Sequence, residues 1–240
     1  MRDQIYYYAV RYAGDWNKIA YALAQNETWK PLLSTCQFVT IGDEEYPDKL
    51  RELRFPPWIL FYEGKLEFCD RKSVGIVGSR LACNYGLACT RQICASLKPN
   101  TTIVSGLACG IDAAAHNAAL KKTTIGVIGN GLDIVYPAQN RVLYQKMKQD
   151  HLVLSEYPLG VQPRKHHFPW RNRIIAALSD KLVIPQAKIR SGTLVTANLA
   201  AEMGKEIYCV PYRLDDLEGN GCNELLCNGA MMLVHFDELQ

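Results

Sequence analysis

The segment Ser73-Val74-Gly75-Ile76-Val77-Gly78-Ser79-Arg80 is an apolar run that breaks off at glycine and small polar residues, and a helical pattern over residues 85–97 follows it. The same phrase recurs down the chain. Apolar runs at Thr102–Val104, Ile125–Ile128, Leu152–Leu154, Lys181–Ile184, Ile207–Val210 and Met232–Val234 alternate with helical patterns over 111–120, 140–148, 171–178, 193–203 and 223–227. Strands this apolar are buried on both faces, so the alternation predicts an α/β fold: a Rossmann-like three-layer sandwich with a mostly parallel sheet. Upstream, Pro56-Pro57 and the run Trp58–Tyr62, ended by Gly64, read as a linker and an edge strand. Residues 1–40 carry helical spacing between Asp15 and Gln25. The expected organisation is a short helical N-terminal segment, 1–46, and a Rossmann-like domain, 47–240.

Composition bounds the function. A chain of 240 residues with 48% hydrophobic content and a net charge of +3 is that of a folded domain whose contacts with polyanions must come from a local patch. No apolar run approaches the roughly 20 residues needed to cross a bilayer, and the N-terminus lacks the apolar core of a signal peptide, so a cytoplasmic location is expected. The nine cysteines are odd in number and form no Cys-x-x-Cys pair, which suits reduced thiols packed as small apolar groups.

In an open parallel sheet, ligands bind outside the carboxyl ends of the strands. Here those ends run into Gly78-Ser79-Arg80, Ser105-Gly106-Leu107-Ala108-Cys109-Gly110, Gly129-Asn130-Gly131 and Arg190-Ser191-Gly192-Thr193. Glycine and serine allow a backbone to approach a ligand, and free N–H groups at helix starts favour an anion. Tight turns need glycine in any case, so each turn alone is weak. None contains Gly-Lys-Ser/Thr or completes Gly-x-Gly-x-x-Gly, which argues against a P-loop triphosphatase or a nicotinamide enzyme. Asp112 and His116 sit four apart on one helix face; a helix cap and a packed imidazole account for them better than an acid/base pair. His166 and His167 lack a third ligand for a metal, and neither a metal nor a cofactor is expected.

The run Arg164-Lys165-His166-His167-Phe168-Pro169-Trp170-Arg171-Asn172-Arg173 holds four fixed positive charges and two large aromatics, with no acidic side chain from Tyr157 to Ser179. Phosphates favour Lys and Arg, and bases favour aromatic planes, so single-stranded nucleic acid is the first ligand to consider. A solvated basic loop with its aromatics in the core would have the same composition.

Read together, these turns resemble the DNA-processing protein A family (DprA, also called Smf). The resemblance rests on Gly78-Ser79-Arg80, Ser105-Gly106-Leu107-Ala108 with Gly110-Ile111-Asp112, Gly131-Leu132-Asp133 with Tyr136-Pro137, Ser155-Glu156-Tyr157-Pro158, Phe168-Pro169 with Arg171-Asn172-Arg173, and Ser191-Gly192-Thr193-Leu194. It covers about residues 56–230. It implies a homodimeric, non-enzymatic protein that binds single-stranded DNA, protects incoming strands and helps to load a RecA-type recombinase during natural transformation and DNA recombination. Carried over by motif, the positive pocket uses Arg80, Lys165, Phe168, Arg171, Asn172 and Arg173, with Gly78, Ser79, Gly106, Ser191, Gly192 and Thr193 shaping its turns. Two positions depart from the pattern. Ile184-Pro185-Gln186-Ala187 stands where Val-Glu-Ala is usual, which predicts an early end to that strand's ladder, and Pro211-Tyr212 replaces Pro-Gly.

The rival is a Rossmann-like nucleotide N-glycosidase of the lysine-decarboxylase-like type. In that class a glutamate follows the Gly-Thr turn, whereas this chain has Thr196, which cannot take the carboxylate's part. A nucleotide-sensing module is a third possibility that the turns leave open.

Overall fold

The computed structural model describes residues 1–239. The chain opens with α1 (Arg2–Arg11) and α2 (Trp16–Ala24), the latter started by Asp15, whose carboxylate accepts the Lys18 N–H at 3.1 Å. Then come β1 (Gln37–Thr40), the single turn α3 (Asp48–Arg51) and β2 (Ile59–Gly64). From there strand and helix alternate: β3 (Ser73–Ile76), α4 (Asn84–Ser96), β4 (Thr102–Ser105), α5 (Ile111–Ala119), β5 (Thr123–Ile128), α6 (Arg141–Asp150) and β6 (Leu152–Ser155). The series ends with α7 (His167–Leu178), β7 (Lys181–Ile184), α8 (Gly192–Glu202), β8 (Glu206–Cys209), α9 (Asn220–Cys227) and β9 (Met231–Met232).

All nine strands join one sheet in the order β1-β2-β6-β5-β4-β3-β7-β8-β9, parallel except where β2 pairs with β1 and with β6. Alternate residues of the central strands face opposite sides of the sheet, where three apolar clusters form. Val104, Ile125, Leu154 and Leu182 pack under α3, α7, α8 and α9; Ile103, Val74, Ile76 and Val183 pack under α4 and α5, and Phe61, Ile128 and Val153 under α1, α2 and α6. This is the three-layer sandwich with a mostly parallel sheet that the doubly apolar strands require.

Two local features differ from the sequence reading. The edge strand is β1, and β2 lies inside it, because Gln37–Thr40 pairs antiparallel with Ile59–Tyr62. α7 begins four residues before the expected start, with Pro169 in its first turn, where no intrahelical N–H bond is lost. β7 does end before Pro185, and Gln186 takes over the local hydrogen bonding: its carbonyl accepts from Ser79 N–H at 2.9 Å, its side-chain oxygen accepts from Cys83 N–H at 2.9 Å, and its amide donates to the Glu218 carbonyl. Fully buried, it joins the turn after β3 to the turn after β7.

The nine cysteines are all unpaired. Among the described residues, no helix is long and apolar enough to cross a membrane, and no three His, Cys, Asp or Glu side chains gather as a metal cluster.

Candidate nucleic-acid interface

From β3 the chain winds one way through β4, β5 and β6, then crosses back through α7 to β7 and winds the other way. The loops after β3 and β7 therefore diverge, and a crevice opens between them. A cleft of about 500 Å³ occupies that place. Its walls are Gly78, Ser79 and Arg80 after β3, Ser191, Gly192 and Thr193 at the start of α8, and Lys165, Phe168, Arg171 and Asn172 at the start of α7. These come from three separate segments of the chain, the first of them far in sequence from the other two.

The side chains differ in role. Arg80 and Lys165 are exposed and have no ion pair among the described residues. Phe168 is half-buried; the Tyr136 ring stacks on it at 5.5 Å and the Arg80 guanidinium lies 5.1 Å from its centroid. This forms a flat aromatic and cationic wall. Asn172 reaches across to α8, donating to the Gly192 carbonyl at 3.4 Å. α8 starts at Gly192, so the N–H groups of Gly192 and Thr193 have no acceptor within the helix. The Ser79 N–H, by contrast, is already given to Gln186.

Beneath this wall lies a buried polar group. Arg171 is 4% exposed and donates to the Val127 carbonyl. Gly106 makes room for it, since a Cβ there would strike the Arg171 guanidinium and the Asp112 carboxylate. Gly106 itself lines a smaller apolar pocket of about 210 Å³ that shares Arg80, Tyr136, Phe168 and Arg171 with the cleft. Burial pulls Arg171 down to about 10, against the pull of Asp112, which leaves it charged at neutrality. Burial likewise holds Asp112 above the usual carboxylate range, opposed by Arg171 and by the Ala108 N–H. Asp112 is not the helix cap; Gly110, at φ +74°, occupies that position. The Arg171 Nε and the Ser191 Oγ are buried in the cleft wall without a hydrogen-bond partner among the described residues.

Arg173 stands elsewhere. Two residues beyond Arg171 on a helix, it points about 200° around the axis. Its guanidinium forks onto Glu156, with Nη1 to Oε2 at 2.7 Å, and stacks 4.1 Å from the Trp170 centroid. It pins α7 to the loop after β6 and does not reach the cleft. Tyr136 and Lys188 line the cleft and were not among the expected site residues. Lys188 is paired with Glu218, and only the packing of Tyr136 on Phe168 marks that tyrosine.

A model of the family described as DNA recombination-mediator protein A matches residues 37–240. The chain belongs to this family. Protein Smf of Synechocystis is 42% identical over 210 residues, covering 85% of this chain and 53% of that protein, so the chain spans about half the length of this relative. Two solved members are similar in shape. DNA processing protein A from Streptococcus pneumoniae superposes with a TM-score of 0.84 at 34% identity, covering 100% of this chain and 92% of that one. The Helicobacter pylori protein, described for its single-stranded DNA binding mode, gives 0.78 at 35% identity, covering 86% and 95%.

His116 sets a pH dependence. Fully buried, its Nδ1 lies 2.7 Å from the Thr124 hydroxyl, which donates onward to the Ile103 carbonyl, so Nδ1 carries the proton and Nε2 lacks a partner. Burial, with His151 and Arg171 nearby, pushes the imidazole down to about 3. The unfolded chain therefore binds more protons between about pH 3 and 6.5, and stability falls as pH drops through that window. Asp112, raised by burial, acts with the opposite sign. His116→Gln removes only the first contribution, so its urea midpoint is expected to decline less than that of the parent between pH 6.5 and 4.

Proposed function

We propose that the cleft at the crossover of the sheet binds single-stranded DNA and leaves its covalent bonds intact. The observation that carries this reading is the pairing of free cations with unpartnered buried donors around one cleft: Arg80 and Lys165 at the surface, Arg171 Nε and Ser191 Oγ beneath. Unsatisfied buried donors are costly and are relieved by an acceptor such as a phosphate oxygen. The Phe168–Tyr136 wall offers a base a stacking surface worth about 1–3 kcal/mol. The single-stranded DNA binding of the Helicobacter pylori relative supports the same ligand.

In this reading the protein works in the cytoplasm as a homodimer. Two clefts engaging one strand raise avidity well beyond that of either alone. The bound strand is protected and presented to a RecA-type recombinase. Both partners are what the resemblance to the family implies.

The protein acts by binding and is not a catalyst. The carboxylate of Asp112 does line the cleft, yet it is committed to the Ala108 N–H and to Arg171, and Thr196 turns its hydroxyl back to the Gly192 carbonyl. Competition between single- and double-stranded oligonucleotides of equal length at fixed ionic strength tests the ligand class. Single strands are expected to win, and equal competition by duplex would overturn the reading. Incubation with nucleoside monophosphates is expected to release no free base; release at enzymatic rates would make the glycosidase reading primary.

A further inference from the structure

A second cavity, of about 520 Å³, lies on the far side of the segment that begins α7. One wall is the turn between α1 and α2, from Arg11 to Lys18, which precedes the residues that the family model matches. The other is the loop from Tyr157 to His166 with the first turn of α7, His167 to Trp170. The two walls are closely docked: Gly14, at φ +76°, leaves room for Tyr157, and a Cβ there would come within 2.9 Å of it and of the Glu156 carbonyl.

The lining repeats the chemistry of the first cleft. Arg11, Lys18 and Arg164 are exposed cations, with Asp15 the sole acid lining the cavity among the described residues. Arg164 has no ion pair among the described residues, whereas Lys18 lies 3.9 Å from Asp15 and Arg11 lies 3.7 Å from Glu27. Trp16 and Trp170, both half-buried, add two indole surfaces. The two sites also share a ridge. Lys165 and Phe168 line the first cleft while Arg164, His166 and Trp170 line the second. Neighbouring Cα atoms are about 3.8 Å apart, and residues lining the two sites alternate along this ridge, so one short segment of backbone borders both.

We propose that this cavity continues the track, so that a strand seated in the first cleft crosses the Arg164–Phe168 ridge and lays its next nucleotides between the α1–α2 turn and Trp170. Phosphates meet Arg164 and Lys18, and a base lies against the indoles. The inference rests on the function proposed above and adds a second subsite for the same ligand.

Strand length separates the two sites. The double variant Lys18→Ala/Arg164→Ala alters only exposed side chains and is expected to keep the parent's urea midpoint. With an oligothymidylate of about six nucleotides, enough for one cleft, its affinity is expected to match the parent's. With about twenty nucleotides it is expected to bind roughly tenfold more weakly at low salt, with a salt slope lower by about 0.7 for each phosphate that is no longer neutralised. Parental affinity at both lengths overturns the second subsite while leaving the first cleft intact. Equal weakening at both lengths overturns it too, by placing Arg164 or Lys18 in the first cleft. A folded parent protein that binds neither oligonucleotide removes the proposed function itself.

Discussion

Glu156→Ala is expected to destabilise the fold by about 3–5 kcal/mol, the usual cost of leaving one member of a buried ion pair alone. Glu156 and Arg173 are 4% and 5% exposed, and the guanidinium is held in place by more than the carboxylate. Arg173 Nε donates to the Phe55 carbonyl at 2.9 Å and Nη1 to the Trp170 carbonyl at 2.9 Å, with the indole over its face. These contacts trap the charge in place, so it cannot swing to water when its partner goes. Glu156→Gln keeps two polar atoms at the site and is expected to cost clearly less. Urea unfolding with an unchanged m-value gives the measurement. A midpoint for Glu156→Ala equal to the parent's would show that the pair contributes nothing net. Because Arg173 faces away from the cleft, the folded fraction of either variant should bind DNA as the parent does.

Arg171 and Arg173 show how far residue types alone carry a reading. Both belong to the basic run and both look like phosphate ligands by composition. Helix phase separates them, and it depends on where α7 starts. Pro169 obscures that start, since proline reads as a break although the first helical turn tolerates it. The parallel strands are legible for a simple reason: they are buried on both faces and must be apolar throughout. β1 is not. Gln37–Thr40 is a four-residue edge strand with one exposed and one half-buried residue, and nothing in Gln-Phe-Val-Thr distinguishes it from a loop.

The cleft is legible to the extent that its turns are short and its cations local. Gly78, Arg80, Lys165 and Gly192 are brought together by topology that any such sheet imposes at its switch point. Tyr136, Lys188 and the substitute role of Gln186 depend on tertiary packing between distant loops. In the sequence, Pro185-Gln186 looks like the loss of a carboxylate and of ladder bonds. The structure shows the glutamine supplying both a donor and acceptors that hold two cleft turns together.

Arg80→Ala/Lys165→Ala is expected to weaken binding of single-stranded oligothymidylate by at least about a hundredfold at low salt. A hydrogen bond to a charged group contributes about 1.5–3 kcal/mol, and each of these cations is free to give one. They sit on separate segments, after β3 and before α7, without a shared partner, so the two effects should nearly add. Part of each contribution is release of counterions from the strand. The salt slope should therefore fall by about 0.7 for each cation removed, and the difference from the parent should narrow as salt rises. Arg80 has a second effect that salt does not screen, because its guanidinium lies over Phe168 and helps to present that ring. Lys165→Ala alone should therefore approach parental affinity at high salt, while Arg80→Ala keeps a residual deficit. Fluorescence anisotropy across a salt series reads both quantities. If the double variant keeps parental affinity and slope, the strand does not lie in this cleft.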